Sequence, residues 1–196
     1  MVDEQPAAEN DPLAARLAGA LKAARLDRGL GTAALARAAG VSRGSVLKLE
    51  AGATQPSAAL LGRVCAPLGL TLSELFARVE ETRADAGRLV RGVDAPVWTD
   101  PATGYRRRTL SPSPAGPVQL TEIRLPAGAS VGYPAQAYVR LHQQVWVLEG
   151  TVALTEGSRT TTLGPGDCLE LGPAADCTFA NPGSTEARYL VVTAAR

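Results

Sequence analysis

The sequence predicts a two-domain protein of the α-then-β class: an N-terminal five-helix domain followed by a C-terminal antiparallel β-barrel. Two observations predict it. Apolar residues recur at intervals of three and four along residues 13–79, and from about Pro96 short β-rich runs alternate with Gly and Pro breaks. A third observation separates the halves by charge. The 196 residues sum to only +1. Yet residues 1–12 carry four acids and no base, residues 13–78 nine bases against three acids, and residues 79–196 eleven bases against twelve acids. The basic excess is confined to the helical segment, as expected of a surface that meets a polyanion.

Composition narrows the function classes. With 45% hydrophobic and 20% charged residues the chain reads as an ordinary globular protein. No run approaches the roughly 18 apolar residues of a membrane span, so no membrane partner is expected. The stretch Met1-Val2-Asp3-Glu4-Gln5-Pro6 lacks the basic-then-apolar order of a secretion signal. A cytoplasmic protein is the expectation. Cys65, Cys168 and Cys177 form no C-x-x-C pair, which favours free thiols over a disulfide framework.

The elements follow in order. Residues 1–12 are an acidic tail, expected to be disordered. Leu13, Leu17 and Leu21 mark a first helix, closed by Gly29-Leu30-Gly31. A second and third are separated by Gly40-Val41-Ser42, with Val46 and Leu49 on the third. Leu60, Leu61, Val64 and Leu68 mark the fourth, after a break over Gly52–Pro56. Leu72, Leu75, Phe76 and Val79 mark the fifth, opened by Thr71-Leu72-Ser73-Glu74, which has the form of a capping box. Residues 80–95 are charged and poor in apolar residues, and read as a linker. Strands are expected at Val118–Leu125, Val145–Leu148, Thr151–Leu154, Thr160–Leu163, Cys168–Leu171 and Tyr189–Val192 within a domain of residues 96–196.

Between Thr32 and Glu50 the residues fit two short helices crossing at a tight turn. Ala36 is small enough for close contact, Gly40 suits the positive φ of the turn, and Ser42 is a good N-cap. Arg43, Gly44 and Lys48 fall on the exposed side of the second of these helices. Such positions reach DNA base edges when a helix enters the major groove by its N-terminus. Thr32, Ser42 and Ser45 are candidate phosphate ligands, and Arg37 adds positive charge, with Arg25, Arg28 and Arg63 as further candidates. The competing reading is a five-helix domain with a solvated basic face. Leu35-Ala36, Ala39-Gly40-Val41-Ser42, Leu49-Glu50-Ala51-Gly52, Pro56-Ser57 and Leu68-Gly69-Leu70 occur in an order and spacing that resembles the Cro/C1-type (XRE) helix-turn-helix family. The resemblance covers residues 13–79. It implies a second helix over about Thr32–Ala39 and a recognition helix over about Arg43–Ala51.

In the second half, His142–Gly150, Leu163-Gly164-Pro165-Gly166-Asp167 and Phe179-Ala180-Asn181-Pro182-Gly183 together resemble the two motifs of the cupin family of small β-barrels. Val97–Tyr105 resembles the lead-in of regulators that fuse these same two domains. The resemblance implies metal ligands at positions held here by Gln143, Cys177 and either Gln136 and Tyr138 or Ala137 and Val139. None is of the expected type, although Cys177 as thiolate would suit a soft metal. No metal, cofactor or catalytic residue is therefore expected. If the cupin register holds, Gln143, Val145 and Val147 point inward, while Gln144, Trp146 and Leu148 lie on the opposite face. His142, the only histidine, reads as a hydrogen-bonded structural residue ahead of a sensor. Tyr138, Gln143, Cys177 and Phe179, with Arg140 near the mouth, either line a pocket for a small molecule or fill the core of a dimerisation domain.

These readings lead to a dimeric, sequence-specific regulator of transcription. Its expected partners are double-stranded DNA carrying a pseudo-palindromic operator, a small-molecule effector, and a second copy of the chain. Two alternatives stay open: a metal-dependent cupin enzyme joined to a DNA-binding domain, and an antitoxin-like module whose barrel binds a protein.

Overall fold

The computed structural model of the protein describes residues 12–80, 88–112, 116–139 and 141–195. The acidic tail through residue 11, residues 81–87 of the linker and Arg140 lie outside the described residues. The helices are α1 (Pro12–Asp27), α2 (Thr32–Ala38), α3 (Arg43–Glu50), α4 (Ala58–Cys65) and α5 (Leu72–Glu80), with a 3-10 turn at Ala66–Leu68. Five helices were expected, and five are present among the described residues.

Local chemistry sets their ends. After α2 the chain turns through Gly40 at φ 64, and the Val41 N–H reaches back to the Ala36 carbonyl at 2.9 Å. A side chain at that φ would be strained, which is why glycine closes this turn. The Ser42 hydroxyl then accepts from the Ser45 N–H at 3.0 Å, starting α3. At α5 the capping box forms as the sequence predicts: Thr71 Oγ1 accepts from the Glu74 N–H at 3.0 Å, and the Glu74 carboxylate accepts from the Thr71 N–H at 2.7 Å. Leu17, Leu21, Leu35, Val46, Leu61, Val64 and Leu75 are each almost fully buried between the helices.

Ten strands follow: β1 (Val97–Thr99), β2 (Arg106–Thr109), β3 (Val118–Leu125), β4 (Ser130–Tyr133), β5 (Leu141–Glu149), β6 (Val152–Glu156), β7 (Arg159–Leu163), β8 (Cys168–Glu170), β9 (Cys177–Ala180) and β10 (Ala187–Ala195). The six expected strands are present, with β3 falling where predicted. β1, β2, β4 and β9 are additional. The strands form a six-stranded sheet, β1-β2-β3-β10-β5-β8, and a four-stranded sheet, β4-β9-β6-β7.

This corrects the expectation of a closed barrel. The two sheets stack through their side chains and are not joined edge to edge by backbone hydrogen bonds, the double-sheet solution to burying one face of each. The chain passes from one sheet to the other after β5 through Gly150. Its φ is +75, and a Cβ there would lie 2.8 Å from the Ala187 Cα. Val145, Val147, Tyr189 and Ile123 of the large sheet meet Val131, Leu154 and Phe179 of the small one, all buried. The Phe179 and Tyr189 rings stack with centroids 6.0 Å apart. Asn181 pins the far corner: its amide donates to the Leu125 and Thr185 carbonyls at 2.9 and 2.8 Å, and its oxygen accepts from the Gly183 N–H.

The helices pack directly on the sheets. Phe76 of α5 lies 5.4 Å from the Trp98 ring of β1, and the Arg107 guanidinium of β2 sits 5.2 Å over the Phe76 ring. Gly62 of α4 abuts Tyr133 of β4 so closely that a Cβ would come within 2.9 Å of its ring. One apolar core runs through both halves. No single helix among the described residues is long and apolar enough to cross a membrane.

Candidate functional site

Two sites emerge. The first is the α2–α3 pair. Ser42 caps α3 and its hydroxyl also meets the Ser45 hydroxyl at 2.8 Å, while Arg43 Nε donates to Thr32 Oγ1 at 3.4 Å, linking the two helix N-termini. The other end of α3 is held by a buried ion pair. Arg25 Nε and Nη2 donate to the two Glu50 oxygens at 2.6 and 2.8 Å, and Arg25 Nη1 to the Leu30 carbonyl at 2.7 Å. Arg25 is only 7% exposed, so it is a clamp on α3 and not one of the DNA-facing bases the sequence suggested. Hydrogen bonding to Glu50 holds its pKa above the usual arginine value, against the opposing effect of burial.

With both ends fixed, α3 presents Arg43, Gly44, Leu47 and Lys48 to solvent. Arg28, Arg37 and Arg63 are exposed as well. Leu47, at 48% exposure, was missed from the sequence, although its place one residue off the Val46–Leu49 core spacing is a readable signal. Gly44 has ordinary backbone geometry and open space around it: an added Cβ would meet nothing closer than Ser42 Oγ at 3.7 Å. The isolated fold does not need glycine there.

The second site is a cavity of about 60 Å³ between the helical half and the sheets. Gly62, Thr71 and Ser73 supply part of its wall, and Tyr105, Arg107, Tyr133, Tyr138, Gln143, Phe179 and Tyr189 supply the rest. The expectation placed a pocket inside the barrel. The cavity takes in that interior through Ile123, Val131, Tyr138, Gln143, Phe179 and Tyr189, and residues of α4 and the start of α5 close it on one side. Tyr138 and Phe179 are buried on its wall, Gln143 half-buried. Cys177 is buried beside Tyr138 and is not on the wall. Burial pushes its thiol up to about 11, so it stays protonated at neutral pH. Burial likewise keeps the Tyr133, Tyr138 and Tyr189 hydroxyls protonated well above the ordinary tyrosine range. On β5, Val145 and Val147 face inward and Trp146 outward, as the strand register predicted. His142 is exposed, with Nδ1 3.9 Å from a Glu170 oxygen, so it is a surface residue without the hydrogen bond expected of it.

Arg107 was the largest omission. In Arg106-Arg107-Arg108 a run of three bases reads as surface, yet a strand alternates its side chains. Arg107 therefore points in, with Tyr105 and Thr109, and is 6% exposed.

Comparison with known proteins assigns both halves. Residues 16–79 match the model of the helix-turn-helix domain, and residues 121–193 match that of the cupin domain. The chain is a helix-turn-helix–cupin protein. A transcriptional regulator of the HTH_3 family from Vibrio cholerae shares the fold of the whole helix-turn-helix–cupin chain, with a TM-score of 0.73 at 19% identity over 95% of this chain and 98% of that one. Hydroxypropylphosphonic acid epoxidase from S. wedmorenis aligns with a TM-score of 0.46 at 18% identity, over 91% of this chain and 97% of its own. The cupin domain of an XRE family regulator from Enterobacter cloacae aligns at 0.42 and 15%, over 46% and 95%. These last two likenesses are too distant to bear on chemistry. No curated protein matches the sequence.

The helix-turn-helix–cupin residues do not fit the metal that many cupins hold. Among the described residues no three of His, Cys, Asp or Glu cluster. The second-motif ligand position is a neutral thiol, and the first-motif segment Ala135–Tyr138 is a 3-10 turn that offers no imidazole.

Proposed function

We propose that this helix-turn-helix–cupin protein is a dimeric, sequence-specific DNA-binding regulator of transcription, whose cupin domain senses a small molecule, pairs with a second copy, or does both. The observation that carries the reading is α3: capped by Ser42, clamped through Glu50, and presenting Arg43, Gly44, Leu47 and Lys48 outward. Docked by its N-terminus in the major groove, such a helix brings Arg43 to guanine O6 and N7 and Leu47 to a thymine methyl. Gly44 lets the backbone come close. Thr32, Ser42 and Ser45 and the N-terminus of α2 then meet phosphates, and Arg37 adds sequence-independent attraction.

Pairing is supported by the outer face of the large sheet, where Trp146 stands 46% exposed opposite Leu190 of β10. Two copies joined there would hold two heads about 34 Å apart, one turn of DNA. The reading is of a binding protein without catalysis. Tyr138, Gln143 and Cys177 at the cupin ligand positions support it, and metal analysis of the purified protein tests it, since stoichiometric iron, manganese or nickel would revive an enzyme.

The deciding experiment is selection of bound duplexes from a random-sequence pool at two salt concentrations. Enrichment of a two-half-site palindrome is the expected result. Weak binding without enrichment would remove the regulator reading and leave a protein-interaction module.

A further inference from the structure

A buried cation in this fold has no counter-ion. Arg107 is 6% exposed, and among the described residues no carboxylate lies within ion-pair distance of it. Its Nη2 donates to two neutral hydroxyls, Ser73 Oγ at 2.9 Å and Thr121 Oγ1 at 3.1 Å. Its Nε is buried with no partner at all. Glu74, one residue beyond Ser73, has its carboxylate turned to the Thr71 N–H. A guanidinium taken out of water without an opposite charge is costly, and folds retain one where something else completes it.

What could complete it is set by the surroundings. Arg107 lines the cavity between the domains, and so do Thr71 and Ser73 at the N-terminal end of α5. The Glu74 carboxylate already caps that helix end, so Arg107 is the positive group this wall offers. The facing wall carries hydrogen-bond donors that stay protonated, the Tyr133 and Tyr138 hydroxyls, with the Gln143 amide and the apolar Phe179 between them. About 60 Å³ holds about two waters at the roughly 30 Å³ each occupies in the liquid. That is room for a carboxylate with a short tail, and not for a nucleotide or a sugar.

We propose that this cavity is the effector site and that it binds a small, short-tailed monocarboxylate, its carboxyl group on Arg107 and its tail toward Tyr138 and Phe179. The inference rests on the regulator reading for its purpose, but not for its chemistry. Because Ser73 and Gly62 belong to the DNA-reading half while Arg107 and Tyr133 belong to the cupin half, an occupant touches both. It would fix the angle between them without any signal passing through the sheets.

The test is thermal unfolding of the full-length protein with acetate, propionate and lactate, against propionamide and chloride at matched ionic strength. Trp98, which packs on Phe76 and Tyr105 beside the site, gives a fluorescence readout. The expected result is a saturable rise in Tm with at least one carboxylate and none with propionamide or chloride. Arg107→Gln should weaken that response about tenfold or more while keeping a cooperative melt. Tyr138→Phe, which keeps the ring, should change the ranking of the carboxylates. Equal responses to chloride and carboxylate, no response to any of the three, or an undiminished response in Arg107→Gln would each overturn the inference. A protein that selects a palindrome but ignores carboxylates loses only this proposal. One that binds carboxylates through Arg107 but selects no DNA keeps it and loses the regulator.

Discussion

Among the described residues Arg43 of α3 makes only a long contact, to Thr32, so little would be given up if it turned to a base edge. Arg43→Ala is therefore expected to relax base preference at one position of each half-site, with a loss of about 1–3 kcal/mol on the preferred base. Binding titrations on operator variants would show it, and a uniform loss across sequences would mean that Arg43 holds phosphate. Asn181 behaves oppositely, because three backbone groups depend on it. Asn181→Ala should lower stability by about 1–3 kcal/mol or more, since buried carbonyls lose their donors. A chemical denaturation curve with an unmoved midpoint would contradict that. At this scale the sequence is most readable where the partner is local. Ser42, and Thr71 with Glu74, identify themselves because each caps a helix within three residues. Arg107 does not, because its partner Ser73 is 34 residues away and its neighbours in sequence are both arginines.

Elements are placed by pairs that no local pattern reveals. The Leu49-Glu50 string marks the end of α3, but nothing in it announces that Glu50 grips Arg25. Glu50→Ala leaves a buried guanidinium unpaired and should cost about 3–5 kcal/mol, with DNA affinity falling alongside. A variant as stable as the parent would show the clamp to be idle. In the large sheet, β2, β3 and β10 are tied by Arg106 and Arg124 meeting Glu186 at 2.6 and 3.1 Å. Burial raises the pKa of the Glu186 carboxyl, but the hydrogen bonds from the two arginines outweigh it and hold the group below its ordinary value. A carboxyl that binds its proton less readily when folded stabilises the fold above the ordinary carboxylate range. That contribution is lost as pH falls through the folded pKa. The acid side of the stability–pH curve should therefore be shallower in Glu186→Gln, and an unchanged slope would assign the acid sensitivity elsewhere. Register on β5 was legible from alternation alone. β1, β2, β4 and β9 were not, being three or four residues long and set among the same Gly and Pro that mark loops.

For the molecule as a whole, the order of helices before strands, and the family of each half, could be read from period, caps and turn residues. The open sandwich could not. Closure of a barrel depends on which edges pair, and six well-placed strand segments fit a ring as easily as two sheets. The cavity could be placed only in part: Tyr138, Gln143 and Phe179 were readable as its lining, but the wall supplied by α4 and α5 was not, since it comes from residues far away in sequence. The regulator reading makes a prediction at this scale: two heads held by one pairing surface must meet the same face of the duplex. Inserting half a helical turn, about five base pairs, between the half-sites should abolish tight binding, and a full turn should restore part of it only if the pairing flexes. Undiminished gel-shift affinity with the half-turn insert would mean that each head binds alone.

The seam between Phe76, Trp98 and Tyr133 bears on ancestry as much as on stability. Fused proteins are commonly pictured as cassettes, reader and receiver shuffled on a string. Here a helical half lifted out at residue 80 would carry a bare Phe76 and the Gly62 notch, and the cupin half left behind would show Trp98 and an unroofed Arg107. Neither piece is a finished object. Recombination that trades one half for another must carry matching faces with it.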